Sequence, residues 1–312
     1  YYATPGAPTM EEKGWSGADL IFDLDADHIM RGPYDLMLAR VKEEAQKLLD
    51  MLTGELGFDP KTIDLVFSGG RGYHIHIKDI AVRGFGSPER REFIDYVCGT
   101  GIDPSLILSA GSHSHRGWHR RYISALIEYL LWLASGAGGD EGQMGGARHL
   151  AELPGIGRET AERFIKRADT LIDSLHAGEV SLLLREKGIS QVINVLNEGA
   201  DPEFTTRIRA RAALADEPVT TDIKRLIRMP TSLHGGSGMR VTRIPVRDLA
   251  DFDPLVDAVV FGERNVKVET SRDLGLALMG NRYQLSAGIA PVPEALAVFL
   301  CCRGLAEIAG VE

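Results

Sequence analysis

The chain has 312 residues, 44% of them hydrophobic and 25% charged, with a formal net charge of −9. This is the composition of a soluble globular protein of one large domain or two ordinary ones, and no apolar run reaches the length that spans a bilayer, so no membrane partner is expected. The acidic balance argues against a protein that coats nucleic acid non-specifically, but it leaves room for an enzyme with its carboxylates at one spot and cations along a groove.

ADLIFDLDAD (18–27) carries an apolar run, Leu20, Ile21 and Phe22, that breaks into alternating acids, the pattern of a buried strand emerging at its end. From Pro33 to Gly57, Leu38, Val41, Ala45, Leu48, Leu49 and Leu52 recur at helical spacing, and Gly54 and Gly57 mark the exit. IDLVFSGGRGYHIHI then reads as strand, glycine turn and strand, with His74 and His76 alternating against Ile75 and Ile77. This order predicts an α+β (α/β) fold, a core of mixed sheet flanked by helices.

Beyond residue 120 the character changes. RYISALIEYLLWLAS predicts a helix, GAGGDEGQMGG (136–146) a flexible link, and 148–198 three further helical patterns without strand signal. Strand-like segments return at MRVTRIPV (239–246) and DAVVFG (257–262), and PEALAVFLCCRGLAEIA predicts a last helix with Cys301 and Cys302 on its packed face. The predicted organisation is a catalytic core from 1–121 and 205–312, interrupted by a helical insertion subdomain at 122–204. Cys98, Cys301 and Cys302 make neither a disulfide framework nor a CxxC pair, so a reducing cytoplasm is expected and a zinc site is not.

Asp23 and Asp25 stand two apart on the first strand and therefore share a face. Two carboxylates so placed repel unless a cation sits between them or one keeps its proton, and hard Mg²⁺ or Mn²⁺ suits all-oxygen ligands. The alternative is a solvated strand end, since Asp19 and Asp27 lie nearby. SGGRG brings backbone amides, the Ser68 hydroxyl, the Arg71 guanidinium and, from the next strand, His74 around one turn, a set that suits a polyphosphate. Its plainer reading is a tight hairpin with an exposed arginine. ADEPVTTDIKRLIRMPTSLHGGSGMRV (215–241) adds acids at Asp216 and Asp222, donors at Arg228 and His234, and another glycine turn, or simply a charged surface helix. Phosphoryl transfer needs all three parts: carboxylates for metals, donors for the triphosphate, and a third acid.

LIFDLDADH, FSGGRGYHIHI and DEPVTTDIKRLIRMPTSLHGGSG resemble, in order, the three signature motifs of the archaeal and eukaryotic DNA primase catalytic small subunit, over about residues 1–247. The resemblance implies that Asp23, Asp25 and Asp216 are the catalytic, metal-binding carboxylates. It places Ser68, Arg71, His74, Arg228 and His234 around the triphosphate of the incoming nucleotide. Asp216 fits the family's spacing to Arg228 and His234 better than Asp222, which is the fallback. The chain departs from the family in three ways. Residues 28–60 hold no cysteine for a zinc knuckle, the chain starts only about twenty residues ahead of the first motif where the family's usually begins well before it, and Gly70 stands where eukaryotic members tend to carry a second arginine, which implies fewer phosphate contacts.

Two further segments carry weaker signals. ELPGIGRETAERF (152–164) has the pattern of a helix-hairpin-helix, whose backbone amides contact DNA phosphates, or of an ordinary turn between helices. SHSHRGWHRR (112–121) gathers His113, His115, Arg116, Trp118, His119, Arg120 and Arg121, a set suited to a template strand or, less so, to a metal.

The resemblance implies a nucleotidyltransferase, a DNA-directed RNA polymerase that makes short RNA primers on single-stranded DNA from nucleoside triphosphates, paired with a large, iron–sulfur subunit as a heterodimer. The alternatives are a primase-polymerase or end-joining repair polymerase with the same site, and a non-catalytic nucleic-acid-binding scaffold.

Overall fold

The computed structural model describes residues 1–109, 116–139 and 142–309. It combines helices with antiparallel sheets, the α+β class expected. The chain forms two compact units, Tyr1–Val97 with Leu214–Glu312, and Cys98–Ala213. The helical unit is wider than 122–204, because the helix Gly117–Ala134 straddles the first of those positions and Pro202–Arg209 the second. Among the described residues no helix is long and apolar enough to cross a membrane.

The first unit is built on a four-stranded antiparallel sheet, β1 (Leu20–Asp25), β2 (Ile63–Phe67), β3 (Gly72–Ile77) and β4 (Thr242–Ile244), in the order β1-β3-β2-β4. Alternation along β1 sends Leu20, Phe22 and Leu24 into the core and leaves Ile21, Asp23 and Asp25 on the more open face. The helix Tyr34–Gly54 lays Met37, Leu38, Val41, Ala45, Leu48, Leu49 and Leu52 against the sheet, at the i, i+3, i+4 spacing that makes one apolar stripe. Glu44 is fully buried within that helix and is tolerated because Arg40, at 2.9 Å, and Lys47, at 2.8 Å, hold its carboxylate.

The end of this unit departs from the predicted elements. DAVVFG is not a strand: Asp253 caps the Leu255 amide at 2.9 Å and Pro254 opens a short helix, Pro254–Asp257. The strands instead follow it. β5 (Asn265–Thr270) pairs with β8 (Gly288–Pro293) and β9 (Glu307–Ile308), and β6 (Leu274–Leu278) forms a hairpin with β7 (Asn281–Leu285). The last helix stops at Cys302, ahead of Gly304 in the left-handed region, and the chain then turns into β9. Cys302 is exposed and Cys301 half-buried, so neither is the core residue expected.

Among its described residues the second unit holds helices and no strand, with more helices than the three expected between 148 and 198. Its core gathers Tyr122, Leu126, Tyr129, Leu130, Leu171 and Phe204. At the start of Pro202–Arg209 the Asp201 carboxylate is wholly buried. It accepts hydrogen bonds from the amides of Glu203 (2.8 Å) and Phe204 (3.4 Å), from the Tyr129 hydroxyl and from His149 Nε2 (2.9 Å).

Candidate functional site

β1 and β3 pair so that Asp23 faces His74 and Asp25 faces Gly72. Gly72 is required there, since a Cβ would stand 2.2 Å from the Leu24 carbonyl oxygen. The third acid arrives from almost two hundred residues away in sequence. The Asp216 amide donates to the Asp23 carbonyl at 2.8 Å, pinning the start of the helix Glu217–Thr221 beside β1. Asp216 occupies the N-cap of that helix, yet its carboxylate makes no capping hydrogen bond, whereas the Asp222 carboxylate accepts from the Lys224 amide at 2.9 Å. The geometry separates the two candidates: Asp216 presents an uncommitted carboxylate next to Asp23.

The electrostatics say the same. Asp23 is pushed up to about 6, first by burial and then by the carboxylates of Asp25 and Asp216, against the opposing pull of Arg228 and Arg225. Three acids and two guanidiniums therefore act on one another within the first unit. Burial, the neighbouring His76 and the positive charge of Arg228 push His74 down to about 3, so its imidazole is neutral at physiological pH. Its Nε2 lies 3.4 Å from Asp23 Oδ1, a long contact between a neutral ring and a carboxylate rather than an ion pair. His74 thus faces the acid, and its Nδ1 is buried without a partner.

The turn between β2 and β3 is closed from inside. Ser68 is buried, its amide donates to the Gly72 carbonyl at 2.9 Å, and its Oγ accepts from the amides of Gly70 (3.4 Å) and Gly72 (3.2 Å). Three amides, those of Ser68, Gly70 and Gly72, are spent in this way. Arg71 extends from the turn and pairs with Asp27 just beyond β1.

His234 packs directly on the glycines. A Cβ on Gly70 would come within 2.8 Å of His234 Nε2, so the absence of a second arginine at this position makes room for the imidazole. The Ser237 hydroxyl donates to the Gly69 carbonyl, which ties the third motif's glycine turn to the second's. Burial first, then Arg228 and Arg71, lower the His234 pKa, with Asp25 opposing. Arg71, Arg228 and Asp25 therefore all act electrostatically on His234.

Among the described residues no group of three or more His, Cys, Asp or Glu side chains forms a ready-made cage for a metal ion. The donor set still suits Mg²⁺ or Mn²⁺: it is all oxygen, it repels itself enough to raise Asp23, and Mg²⁺ is ordinarily held by one or two carboxylates completed by water and substrate phosphates.

Three residues at the site carried no motif of their own. Arg225 acts on Asp23 beside Arg228; only the basic character of IKRLIR pointed to it. Tyr34 donates its hydroxyl to the Gly70 carbonyl at 2.6 Å, and the Arg303 guanidinium lies 4.1 Å over the Tyr34 ring. Nothing in the sequence couples positions 34, 70 and 303. Of the weaker signals, His113 and His115 lie outside the described residues. LPGIG does join two packed helices, Gln143–Ala151 and Arg158–Lys166, with Gly155 in the left-handed region.

Residues 22–246 match the family model described as DNA primase small subunit. The chain is 57% identical over 310 residues to the protein named DNA primase small subunit PriS from Methanoregula boonei, covering 99% of this chain and 80% of that one. It is 54% identical over 309 residues to the protein of the same name from Methanosphaerula palustris, covering 99% and 79%. To that from Methanosarcina acetivorans it is 39% identical over 337 residues, covering 98% and 79%. The chain belongs to the DNA primase small subunit family.

Proposed function

We propose that this chain is the catalytic subunit of a primase that joins ribonucleotides into short primers on single-stranded DNA. The observation that carries the reading is the meeting of Asp216 with the Asp23 and Asp25 pair through the 2.8 Å amide bond, within the electrostatic reach of Arg225 and Arg228. In this reading Asp23, Asp25 and Asp216 hold two divalent ions. When bound, Mg²⁺ or Mn²⁺ supplies the charge that favours attack of a 3′-hydroxyl on an α-phosphate and loss of pyrophosphate. Arg71, Arg228 and His234 position the triphosphate and neutralise its charge, and the Ser68 hydroxyl holds the turn that carries Arg71. His74 is a positioning residue, a neutral ring that orients Asp23.

The name "small subunit" carried by the relatives supports a partner subunit, and the family resemblance makes the proposed partner a large, iron–sulfur subunit in a heterodimer. A replication enzyme with unbridged thiols fits the cytoplasm. The test is synthesis on an unprimed single-stranded DNA template with labelled ATP or dATP. Dinucleotide and longer products from the wild type, absent from Asp216→Ala, are expected; extension of a supplied primer with no unprimed product would make the chain a filling polymerase instead.

A further inference from the structure

The turn between β2 and β3 has its carbonyls fully taken. Those of Gly69, Gly70, Arg71 and Gly72 accept from the Ser237 hydroxyl, the Tyr34 hydroxyl (2.6 Å), the Ala26 amide (3.1 Å) and the Ser68 amide (2.9 Å). Its amides are not. Those of Ser68, Gly70 and Gly72 are spent, whereas among the described residues those of Gly69 and Arg71 make no hydrogen bond.

A trans peptide unit is planar, so its C=O and N–H point opposite ways. The Gly69–Gly70 unit is fastened at both ends, by Ser237 and by Ser68 Oγ, and the Arg71–Gly72 unit likewise, by Ala26 and by Ser68 Oγ. The Gly70–Arg71 unit between them is fastened at one end only, by Tyr34. Gly70 lacks the Cβ that would restrict rotation of this unit, so its orientation depends on the group that holds the buried carbonyl. With Tyr34 in place the Arg71 amide is aimed away from the tyrosine.

Tyr34 is itself held in place. The Arg303 guanidinium lies 4.1 Å over its ring, and the Phe299 ring meets it edge-on at 5.5 Å. Burial pushes the Tyr34 hydroxyl up to about 12, so it keeps the proton it donates. The helix it opens does not need this bond to stay on the sheet, since Leu38, Val41, Ala45 and Leu48 pack there. The free amide belongs to the same residue as the Arg71 guanidinium, and His234 packs on the adjoining glycine. An amide and a guanidinium on one residue suit two oxygens of a phosphate.

We propose that Tyr34, backed by Arg303, is a positioning residue for the incoming nucleotide, holding the Gly70–Arg71 peptide so that the Arg71 amide and guanidinium together meet the triphosphate. The inference rests on the nucleotidyl-transfer reading for the identity of the ligand, and the experiment separates the two.

The full chain in Mg²⁺ is titrated with the non-hydrolysable analogue AMPCPP, followed by calorimetry and by the ¹⁵N–¹H resonance of the Arg71 amide. In the wild type that resonance should move downfield as the site fills. Tyr34→Phe keeps the ring under Arg303 and removes only the hydroxyl. It should bind AMPCPP about tenfold more weakly, the scale of one hydrogen bond to a charged group, with an unchanged melting temperature and no downfield movement. Arg303→Ala should weaken binding about threefold in the wild type and not at all in Tyr34→Phe, because it acts through the hydroxyl. A guanidinium that attracts phosphate by charge alone would weaken both equally. Equal affinity of Tyr34→Phe and wild type, an Arg71 resonance that moves alike in both, or an Arg303→Ala effect that persists without the hydroxyl overturns the proposal and leaves the nucleotidyl-transfer reading standing. A wild type that binds no AMPCPP overturns both.

Discussion

Two carboxylates, one in each unit, show what burial does with and without compensation. Asp201 in the helical unit has no exposed surface, and burial alone would raise its pKa; the hydrogen bonds from Tyr129, His149 and the Glu203 amide, with the charge of His149, outweigh that and hold it below the usual range. Asp23 in the mixed unit is pushed up to about 6, first by burial and then by the carboxylates of Asp25 and Asp216, which Arg228 and Arg225 do not offset. The first arrangement is complete within the protein and fastens the start of a helix. The second is left short of positive charge, as the proposed cation site requires.

The sharpest break of this comparison is at the acids themselves. Asp25→Ala or Asp216→Ala should reduce primer synthesis by at least about a thousandfold, the scale expected when metal-borne charge stabilisation of several kcal/mol is removed, while far-ultraviolet circular dichroism stays unchanged. At Asp201 the same substitution should do the reverse. Asp201→Ala should cost about 2–4 kcal/mol in denaturant melts by stranding the Tyr129 hydroxyl and the helix-start amides. Arg228→Ala, which removes one donor and leaves the acids in place, should lower kcat/KM for the nucleotide by about 10- to 100-fold.

The two carboxylates should also respond to pH with opposite sign. Asp23 takes up its proton near 6 in the folded chain but near the ordinary 3.8 when unfolded, so in chelator the folded state holds the extra proton between those values. Stability should therefore fall as pH rises through that window, by about 1–3 kcal/mol, and Asp23→Asn should abolish the trend. The folded-state pKa of Asp201 is depressed, so its contribution is present above the ordinary carboxylate range and lost as pH falls. Melting temperatures of the wild type and Asp23→Asn from about pH 4 to 7, and of the wild type and Asp201→Asn as pH falls below the ordinary carboxylate value of 3.8, check the two signs.

Much of the mixed unit was legible because its signals are local. The alternation in LIFDLD, the glycine turn between two strands and the stripe of Leu38, Val41, Ala45 and Leu48 each state a period that survives folding. The strands from 265 to 293 were not read, because they are half-exposed and short; Val268 and Val292 are buried while most of their neighbours are open, so the apolar alternation is thin. DAVVFG misled for the converse reason: two valines suggest a strand, but the capped proline ahead of them turns the chain first. At the site, motif order was enough to nominate the acids, whereas the choice of Asp216 over Asp222 became physical only through an amide bond to Asp23 and a carboxylate left uncapped. Tyr34 and Arg303 had no signal at all, since each lies on or next to a helix whose pattern reports packing and not the ring and guanidinium that meet in space.

The account turns on Asp23, Asp25 and Asp216 acting as one cation site. Titration of the chelator-treated chain with Mn²⁺, read by the loss of free-ion electron paramagnetic resonance signal in the presence of AMPCPP, tests this most directly. Saturable uptake by the wild type that is lost in Asp216→Ala as fully as in Asp25→Ala is the predicted result. Uptake that survives Asp216→Ala undiminished would contradict it.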